Sequence, residues 1–560
     1  MPPYNSVKSL QSLALEQTCK YILDIIPQMR KNINGFREYF INNAHAWART
    51  TILDYTKVLL DNGEKDHQIW HELDGVFDRN PYLRLICSQI RRWLVIASTM
   101  LDVGVHRLPP IVFEGYMERE FHDFVSLLSR CDTHLRGLCI TFMMSNKNDY
   151  TPSVYSSMYI LQKSLHEGLA SKLVFLKLFA ICDNSMLKII GENALFLKHL
   201  DITGSWNVDE AGIKYLLFKN NMHVEINNVS NDELCKQLSL VYDDESLLNV
   251  CCFTLEQLKI QDTNTEDASL LMILACVKSL KSLGGFLYFR NIGDALVTVY
   301  ENSLKPRIFQ LTELYDMQLT SKKIAILKEC LPHLKKLYTR LSCVCTPRDF
   351  ADPEQGSMFW GRVQILTIDL DYMMNRHFIN FVKNYGHNLT ELIILDQSTQ
   401  LSSVLPNFQE SDIDVAKLLK SCPNLHVLKG YLHIFETPDG QFTKLKSIEL
   451  HMPTVETINW FFENCPCLEE AKLYSDSRNL YWNTQIFERP PLIMCNNLKR
   501  LEIVFNDEHP IINHQTVIQF IDKCSNLQHL GRLDKWNLDK KFVKQVKKYI
   551  QEMNYELEIY

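Results

Sequence analysis

The chain has 560 residues, of which 46% are hydrophobic and 22% are charged, and it carries a formal net charge of −7. This length is too great for one ordinary hydrophobic core, and the apolar content excludes wholesale disorder. The acidic balance also argues against a partner bound through phosphates, so a nucleic acid is not an expected partner.

The N-terminus, MPPYNSVKSL, has no basic segment leading into an apolar run, so the sequence predicts no secretory signal. The longest apolar stretch lies around Leu270 to Val277, which is far shorter than the ~20 residues that cross a bilayer. We therefore expect a protein of the cytoplasm, the nucleus or both, with no membrane partner. In a reducing compartment the 17 cysteines are expected to be mostly buried thiols.

Residues 1–130 are predicted to form an α-helical N-terminal region. The apolar side chains of Leu13, Cys19 and Ile22 fall on or near one face of a helix. Two interpretations of this region stay open. It is either a cap that covers the first unit of a repeat array or a docking site for an adaptor protein.

The segment from Ala14 to Leu23 carries the docking interpretation. Its Leu15, Cys19 and Leu23 are spaced four residues apart and would share one helix face, as insertion into a partner groove requires. The segment resembles the elongin-binding box of cullin-RING substrate receptors. This resemblance implies that Leu15, Cys19 and Leu23 bind an elongin-type adaptor and that a cullin joins the complex, while the choice of cullin stays open.

Residues 131–560 repeat a short apolar pattern, L-x-x-L-x-L. The alternate spacing predicts a short strand with one face turned inward, and the segments between copies have helical spacing. Clear copies begin at Leu135, Leu173, Leu197, Leu255, Val363, Leu389, Leu445, Leu468 and Leu498. Degenerate copies begin at Leu280, Leu311, Leu334, Leu425 and Leu527, and one further unit is expected between Leu197 and Leu255, around Val224–Ile226.

Several predicted helices end in a cysteine just before the next strand. The segments are Cys330-Leu-Pro-His-Leu334, Cys422-Pro-Asn-Leu425, Cys465-Pro-Cys-Leu468 and Cys524-Ser-Asn-Leu527. Proline stops a helix because it lacks an N–H, and a buried cysteine fills a tight corner. This punctuation resembles the cysteine-containing leucine-rich repeats of F-box and related substrate receptors, and its combination with the N-terminal segment is similar to receptors of the Zyg-11 type.

The resemblance implies an α/β fold, a leucine-rich-repeat solenoid with a curved parallel sheet and outer helices, preceded by the helical N-terminal region. In such a solenoid the residues between the inward leucines lie on the concave face of the sheet, which is the usual binding surface. The predicted substrate-binding residues are Tyr315, Tyr338, Arg340, Asp369, Glu391, His451, Tyr474 and Arg500. Three long connecting stretches, 342–362, 396–412 and 475–492, are further candidate contacts.

The C-terminal segment is predicted to be a capping helix. Phe542, Val543, Val546 and Ile550 would face the repeats, and a lysine stripe would form its solvated face. The sequence has no nucleotide-binding loop, nucleophile elbow or zinc-protease motif, so we predict a non-catalytic protein without cofactor or metal. A catalytic cysteine paired with a distant histidine is the remaining enzymatic alternative.

The sequence therefore favours a protein-binding leucine-rich-repeat protein that acts as the substrate-recognition subunit of a cullin-RING E3 ubiquitin ligase, part of the ubiquitin-like conjugation pathway. The alternative is an interaction scaffold without a ligase connection, whose N-terminal helices only cap the solenoid.

Overall fold

The structure is a computed structural model. It describes residues 108, 110–114, 117–130, 134–143, 151–219, 229–284, 292–341, 362–370, 382, 386–396, 415–431, 442–451, 453, 455–475, 496–505, 514–531, 533, 538–553 and 555–559. The predicted adaptor-binding residues Leu15, Cys19 and Leu23 lie outside the described residues, as does nearly all of the three long connecting stretches.

The described residues form two compact units, each built around one parallel sheet. The first unit holds the residues up to Gln310 apart from Ile292 and Gly293, and the second holds those two residues and the chain from Leu311 onward. The first sheet has the strand order β1-β2-β3-β4-β5, and the second runs in order from β6 to β15. The predicted α/β class with parallel strands is confirmed, and in both sheets the strand order follows the chain.

The first unit alternates short strands with helices. Its strands are β1 (Ile111–Glu114), β2 (Gly137–Met143), β3 (Phe175–Phe179), β4 (His199–Asp201) and β5 (Gln257–Lys259). Its helices are α1 (Glu118–Arg130), α2 (Pro152–Ser164), α3 (Asn184–Asn193), α4 (Glu210–Leu217), α5 (Asn231–Asp243), α6 (Cys251–Thr254) and α7 (Asp267–Cys276). Shorter helical turns cover Leu165–Leu169, Ala170–Lys172 and Glu245–Leu247, and α8 (Ile292–Glu301) follows.

The second unit has longer strands. They are β6 (Glu313–Asp316), β7 (Lys336–Leu341), β8 (Ile365–Leu370), β9 (Glu391–Asp396), β10 (Val427–Tyr431), β11 (Ser447–His451), β12 (Glu470–Ser475), β13 (Arg500–Phe505), β14 (His529–Gly531) and β15 (Glu558–Ile559). Its helices are α9 (Ser321–Cys330), α10 (Val415–Ser421), α11 (Val455–Asn464), α12 (His514–Lys523) and α13 (Lys540–Glu552).

The leucine pattern builds the core of both units. Every apolar residue of the nine clear copies is buried, and Ile260, the most exposed of them, is 4% exposed. The parallel register aligns the copies, so that Ile448 of β11 pairs with Ala471 of β12, which in turn pairs with Leu501 of β13. Because each fully buried leucine contributes roughly 1.5–3 kcal/mol, this aligned stack is the main source of stability.

Buried cysteines lie at the turns that lead into the strands, as the sequence predicts. Helix α11 ends at Asn464, the Cys465 N–H donates to the Phe461 carbonyl at 3.0 Å, and the Leu468 N–H donates to the Cys465 carbonyl at 3.1 Å. Burial raises the pKa of the Cys465 thiol to about 12. The neutral thiol therefore behaves as a small apolar side chain that fills the corner.

The prediction of a further unit between Leu197 and Leu255 is wrong for the sheet. Strand β4 pairs directly with β5, so no intervening residue adds a strand between them. The segment instead folds largely as helices, because Asp209 caps α4 through the backbone N–H groups of its first turn. The expected strand residues Val224–Ile226 themselves lie outside the described residues.

The first sheet begins within the region predicted to be helical. Ile111 of β1 pairs with Ile140 of β2, and Phe113 packs on the α1 side chains of Phe121 and Phe124, with ring centroids 5.3 and 5.8 Å apart. The strand forms because Ile111 and Phe113 are buried and alternate with more exposed neighbours.

The predicted C-terminal helix forms, and Phe542 and Val543, which are also predicted to face the repeats, are half-buried. Val546 and Ile550 are buried on α13, while Lys544 and the other lysines of the stripe are exposed. Strand β15 follows this helix and pairs with β14 at the end of the second sheet. Among the described residues, no helix is both long and apolar enough to cross a membrane.

Candidate functional site

The second sheet has one face packed on its leucines and a second face whose side chains are mostly partly exposed, although Tyr338 is 6% and Asp369 only 1% exposed. In β11, for example, Ile448 and Leu450 are buried, and the residues that alternate with them, Ser447, Glu449 and His451, are half-buried. We call this second face the open face. All eight substrate-binding residues predicted from the sequence lie on it, since each occupies an alternate strand position opposite to the buried leucines.

The parallel register arranges the open face in three rows that cross the strands. The first row is Glu313, Lys336, Ile365, Glu391, Val427, Ser447, Glu470, Arg500, His529 and Glu558. The second row is Tyr315, Tyr338, Thr367, Ile393, Lys429, Glu449, Lys472, Glu502 and Gly531. The third row has two parts, Arg340, Asp369 and Leu395, then Tyr431, His451, Tyr474 and Val504.

A tyrosine pair and an ion pair occupy the first strands of the open face. Tyr315 and Tyr338 pack with ring centroids 6.4 Å apart, and the Tyr315 hydroxyl donates to the Glu313 carboxylate at 2.6 Å. Burial, assisted by Glu313, raises the pKa of Tyr315. Arg340 donates to Asp369 Oδ2 through Nε at 3.0 Å and a terminal nitrogen at 2.9 Å. These contacts hold five polar side chains in fixed orientations.

A second aromatic pair lies farther along the sheet. The His451 and Tyr474 rings stack with centroids 4.6 Å apart and an interplanar angle of 7°. Burial lowers the pKa of His451, although the Glu449 carboxylate 3.8 Å from its Nε2 acts in the opposite direction. The imidazole therefore favours its neutral form and presents a ring rather than a charge.

The fixed charges of the open face largely neutralise one another across neighbouring strands. In the second row the Lys429 Nζ lies 3.6 Å from Glu449, and the Lys472 Nζ lies 3.7 Å from Glu502. Partly exposed pairs of this kind add little stability. Their effect is to remove any large patch of one sign, so that recognition on this face would depend on shape, rings and hydrogen bonds.

The structure brings six of the eight predicted residues into three adjacent pairs and leaves two apart from each other. Glu391 and Arg500 both belong to the first row, but four strand spacings separate them, or about 19 Å at ~4.8 Å each. A single small ligand cannot contact both, whereas a protein surface can.

Sequence reasoning missed the charged residues of the second row. Lys429, Glu449, Lys472 and Glu502 occupy the same alternate positions that identified the predicted residues. The signal was present in the sequence, because applying the L-x-L alternation to every strand selects them as well.

Among the described residues, no cluster of three or more histidine, cysteine or carboxylate side chains has metal-binding geometry. The described cysteines are buried apart from the half-buried Cys467, and burial raises the pKa of several thiols, including Cys276 and Cys330 to about 12. Such thiols stay protonated at neutral pH and are poor nucleophiles.

Comparison with known proteins gives structural likenesses of low similarity. No protein-family profile matches the chain, and no curated protein matches it. A solved structure described as the complex of Rad7 and Elc1 in yeast matches at 14% identity and a TM-score of 0.37, covering 96% of this chain and 96% of that one. The leucine-rich repeat-containing protein LegL7 of Legionella pneumophila matches at 13% identity and a TM-score of 0.28, covering 56% of this chain and 93% of its own. Scores this low do not establish a shared fold.

Proposed function

We propose that this chain is a leucine-rich-repeat solenoid that holds a protein partner on the open face of its second sheet. The three aligned rows of the open face carry the proposal. The first row crosses all ten parallel strands, which at ~4.8 Å for each of the spacings between them is a width of roughly 40 Å. A surface of this extent, lined by tyrosine, histidine and arginine, suits a protein epitope rather than a small metabolite.

The proposal is tested by affinity purification of the full chain from cells, followed by comparison with two variants. Tyr474→Ala with Arg500→Ala removes a ring and a cation from the open face, where truncating one hot-spot residue typically weakens binding by about 2 kcal/mol, or about thirtyfold. Ile518→Ala with Lys544→Ala removes an exposed apolar side chain and an exposed cation from helices of the same unit. Partners that bind the open face should be lost from the first variant and kept by the second. Equal retention by both variants would contradict the proposal.

The finer proposal is that the partner is a substrate and that the chain is the substrate receptor of a cullin-RING ubiquitin ligase. The segment from Ala14 to Leu23 supports it through its resemblance to the elongin-binding box. Its leucine and cysteine side chains would insert into a groove of an elongin-type adaptor, and the adaptor would join the chain to a cullin.

Pull-down of the full chain with adaptor and cullin tests this finer proposal. Leu15→Ala with Cys19→Ala should abolish adaptor capture and leave open-face partners bound. The matched control is Leu13→Ala with Ile22→Ala, which removes the apolar side chain just before the segment and one within it, and leaves Leu15, Cys19 and Leu23 in place. Unchanged adaptor capture by the first variant rules out this mode of docking. If neither adaptor nor cullin copurifies with the unaltered chain, it is an interaction scaffold instead.

We further propose that the chain itself is non-catalytic and acts in the cytoplasm or the nucleus. The protonated, buried thiols of the described cysteines support the first statement. The absence of a basic segment leading into an apolar run at residues 1–10 supports the second. A thiol-directed activity probe should label no single cysteine preferentially, and fluorescence microscopy of the tagged full chain tests the compartment.

A further inference from the structure

A groove in the first unit lies outside the open face and on the other sheet. It has a volume of about 620 Å3 and runs past the turns that lead into four consecutive strands, β2 to β5. Arg136, Lys198 and Glu256 each line it from the position directly before a strand. Three strand spacings of ~4.8 Å give the groove a length of about 14 Å, which an extended peptide of four or five residues fills.

The charge of this groove is opposite to that of the whole chain. Arg136, Lys172 and Lys198 contribute permanent positive charges to its lining, and Glu256 is the carboxylate among its lining residues. Lys198 and Lys281 bind the Glu256 carboxylate at 2.8 and 2.7 Å, and these contacts lower its pKa to about 2. One negative charge is thus shared by two cations, so together with Arg136 these groups leave a positive excess at the groove in a chain of net charge −7.

Apolar side chains stand beside these cations. Phe196 is 61% exposed and Leu195 is 46% exposed, and both lie in the turn between α3 and β4. These two side chains offer exposed apolar surface to an occupant of the groove. Their position within the cation-lined groove defines the chemistry of an occupant.

We infer that this groove binds an extended acidic segment of a protein partner, with carboxylates placed on Arg136 and Lys172 and a bulky apolar side chain placed against Phe196. Charge complementarity selects the acidic segment, because a partner rich in carboxylates meets cations here and finds no comparable excess on the open face. The site is independent of the proposed open-face function, and it would add a second point of attachment for the same or another protein.

Selection from a library of random peptides of about ten residues, displayed on phage and bound to the full chain, tests the inference; that length is about twice what the groove needs at ~3.3 Å per residue. Enriched peptides should combine aspartate or glutamate with phenylalanine, leucine, tryptophan or methionine. Their binding, measured by fluorescence anisotropy, should weaken as salt is raised. The same peptide with amides in place of its carboxylates should bind the unaltered protein at least about tenfold more weakly, because it loses its charge pairs with the cations of the groove.

Variants locate the binding. Arg136→Ser with Lys172→Ser, and separately Phe196→Ser, should each weaken peptide binding about tenfold, as expected for contact residues. Lys236→Ser and Tyr159→Ser remove an exposed cation and an exposed ring elsewhere in the first unit and should change it less than about twofold. Thermal unfolding checks that each variant folds. If a variant does not fold, the amide peptide still tests the role of charge on the unaltered protein.

Three outcomes would overturn the inference. Enriched peptides without carboxylates would remove the charge argument. Equal binding by the groove variants and the controls would place the peptides elsewhere on the protein. Tighter binding of a labelled single-stranded oligonucleotide that displaces the peptides would identify the groove as a phosphate-binding surface instead.

Discussion

Asn497 lies one residue before Leu498, the first leucine of its repeat, and its side chain contacts the preceding repeat. Its Nδ2 donates to the Pro466 carbonyl oxygen at 2.9 Å, and Asn424 makes the same contact with the His387 carbonyl at 2.7 Å. In both cases the acceptor lies two residues before the first leucine of the neighbouring unit. These asparagines donate hydrogen bonds to carbonyl groups in turns, and they join adjacent repeats at a point outside the leucine core.

Asn497→Ala should therefore lower stability by about 0.5–1 kcal/mol, because it removes one solvent-exposed hydrogen bond between adjacent repeats of the second unit. The measurement is the shift of the urea midpoint, together with faster hydrogen exchange in β12 and β13. Asn496→Ala is the matched control, since the main-chain carbonyl of Asn496 still accepts from Asn526 after its side chain is removed. An equal loss of stability in both variants would contradict this role.

His451 should make the folded protein less stable as the solution becomes acidic. Burial lowers its pKa below the usual 6.5, so the unfolded chain takes up the proton at a higher pH than the folded one. This contribution to stability is complete above pH 6.5 and is lost as the pH falls through the folded pKa. His451→Phe keeps a ring for stacking on Tyr474 and cannot be protonated.

The measurement for His451 is the thermal midpoint of both proteins between about pH 7 and pH 5, the interval in which an ordinary histidine titrates. The midpoint should fall less steeply in His451→Phe than in the unaltered protein. His529→Phe is a control at another histidine of the open face, which pairs with Glu558 at 3.1 Å. A histidine resonance of position 451 that titrates above pH 6.5 would contradict the prediction.

Gly430 lies where the backbone of strand β10 comes close to the backbone of β9. Its φ of +144° lies in a region that favours glycine, and a Cβ atom there would lie 2.6 Å from the Ile394 carbonyl oxygen. The ladder between β9 and β10 extends over Val427–Lys429 and does not continue to this residue. The glycine thus permits a close approach of two backbones at the end of the ladder.

Gly430→Ala should destabilise the second unit by about 2–4 kcal/mol, because it combines an unfavourable φ with a clash against main chain that cannot move aside cheaply. Gly531→Ala in β14 is the matched control. Its Cβ would meet Glu502 Cγ at 3.5 Å, an ordinary contact, and the change should stay within about 0.5 kcal/mol. Chemical denaturation of both variants measures the difference, and a Gly430→Ala protein as stable as Gly531→Ala would refute this account.

The strands could be predicted from the sequence because the inward leucines repeat with an unambiguous two-residue alternation. The segment after Leu197 could not, since HVEI has the same alternation, and the sequence alone does not show that β4 pairs directly with β5 and that helices α4 and α5 lie between them along the chain. The eight candidate residues were predictable as members of one face. Their pairing, such as His451 on Tyr474, depends on the inter-strand register, which the spacing of copies does not specify. The recurring asparagine before the first leucine was a visible signal that went unused.

Strand order that follows chain order has a consequence for the whole molecule. Each strand pairs with the strands of the repeats directly before and after it, so neighbouring repeats stabilise one another. The last repeat has a neighbour on one side only, and its other side needs a cover. Helix α13 and strand β15 supply it at the C-terminal end of the second sheet, where Tyr555, Leu557 and Ile559 are buried. This closing element also pairs the backbone of β14, which would otherwise be an unprotected edge.

Leu557→Asp with Ile559→Asp should uncover that end of the sheet, because two carboxylates cannot stay buried there without partners. Hydrogen exchange of the full chain should accelerate most in β14, then in β13 and β12, and the five strands of the first sheet should keep their rates, since they form a separate compact unit. Glu556→Gln with Glu558→Gln is the matched control, because it alters two exposed positions of the same segment. Uniform acceleration across both sheets would show that the whole chain unfolds as one cooperative unit and would contradict nearest-neighbour stabilisation.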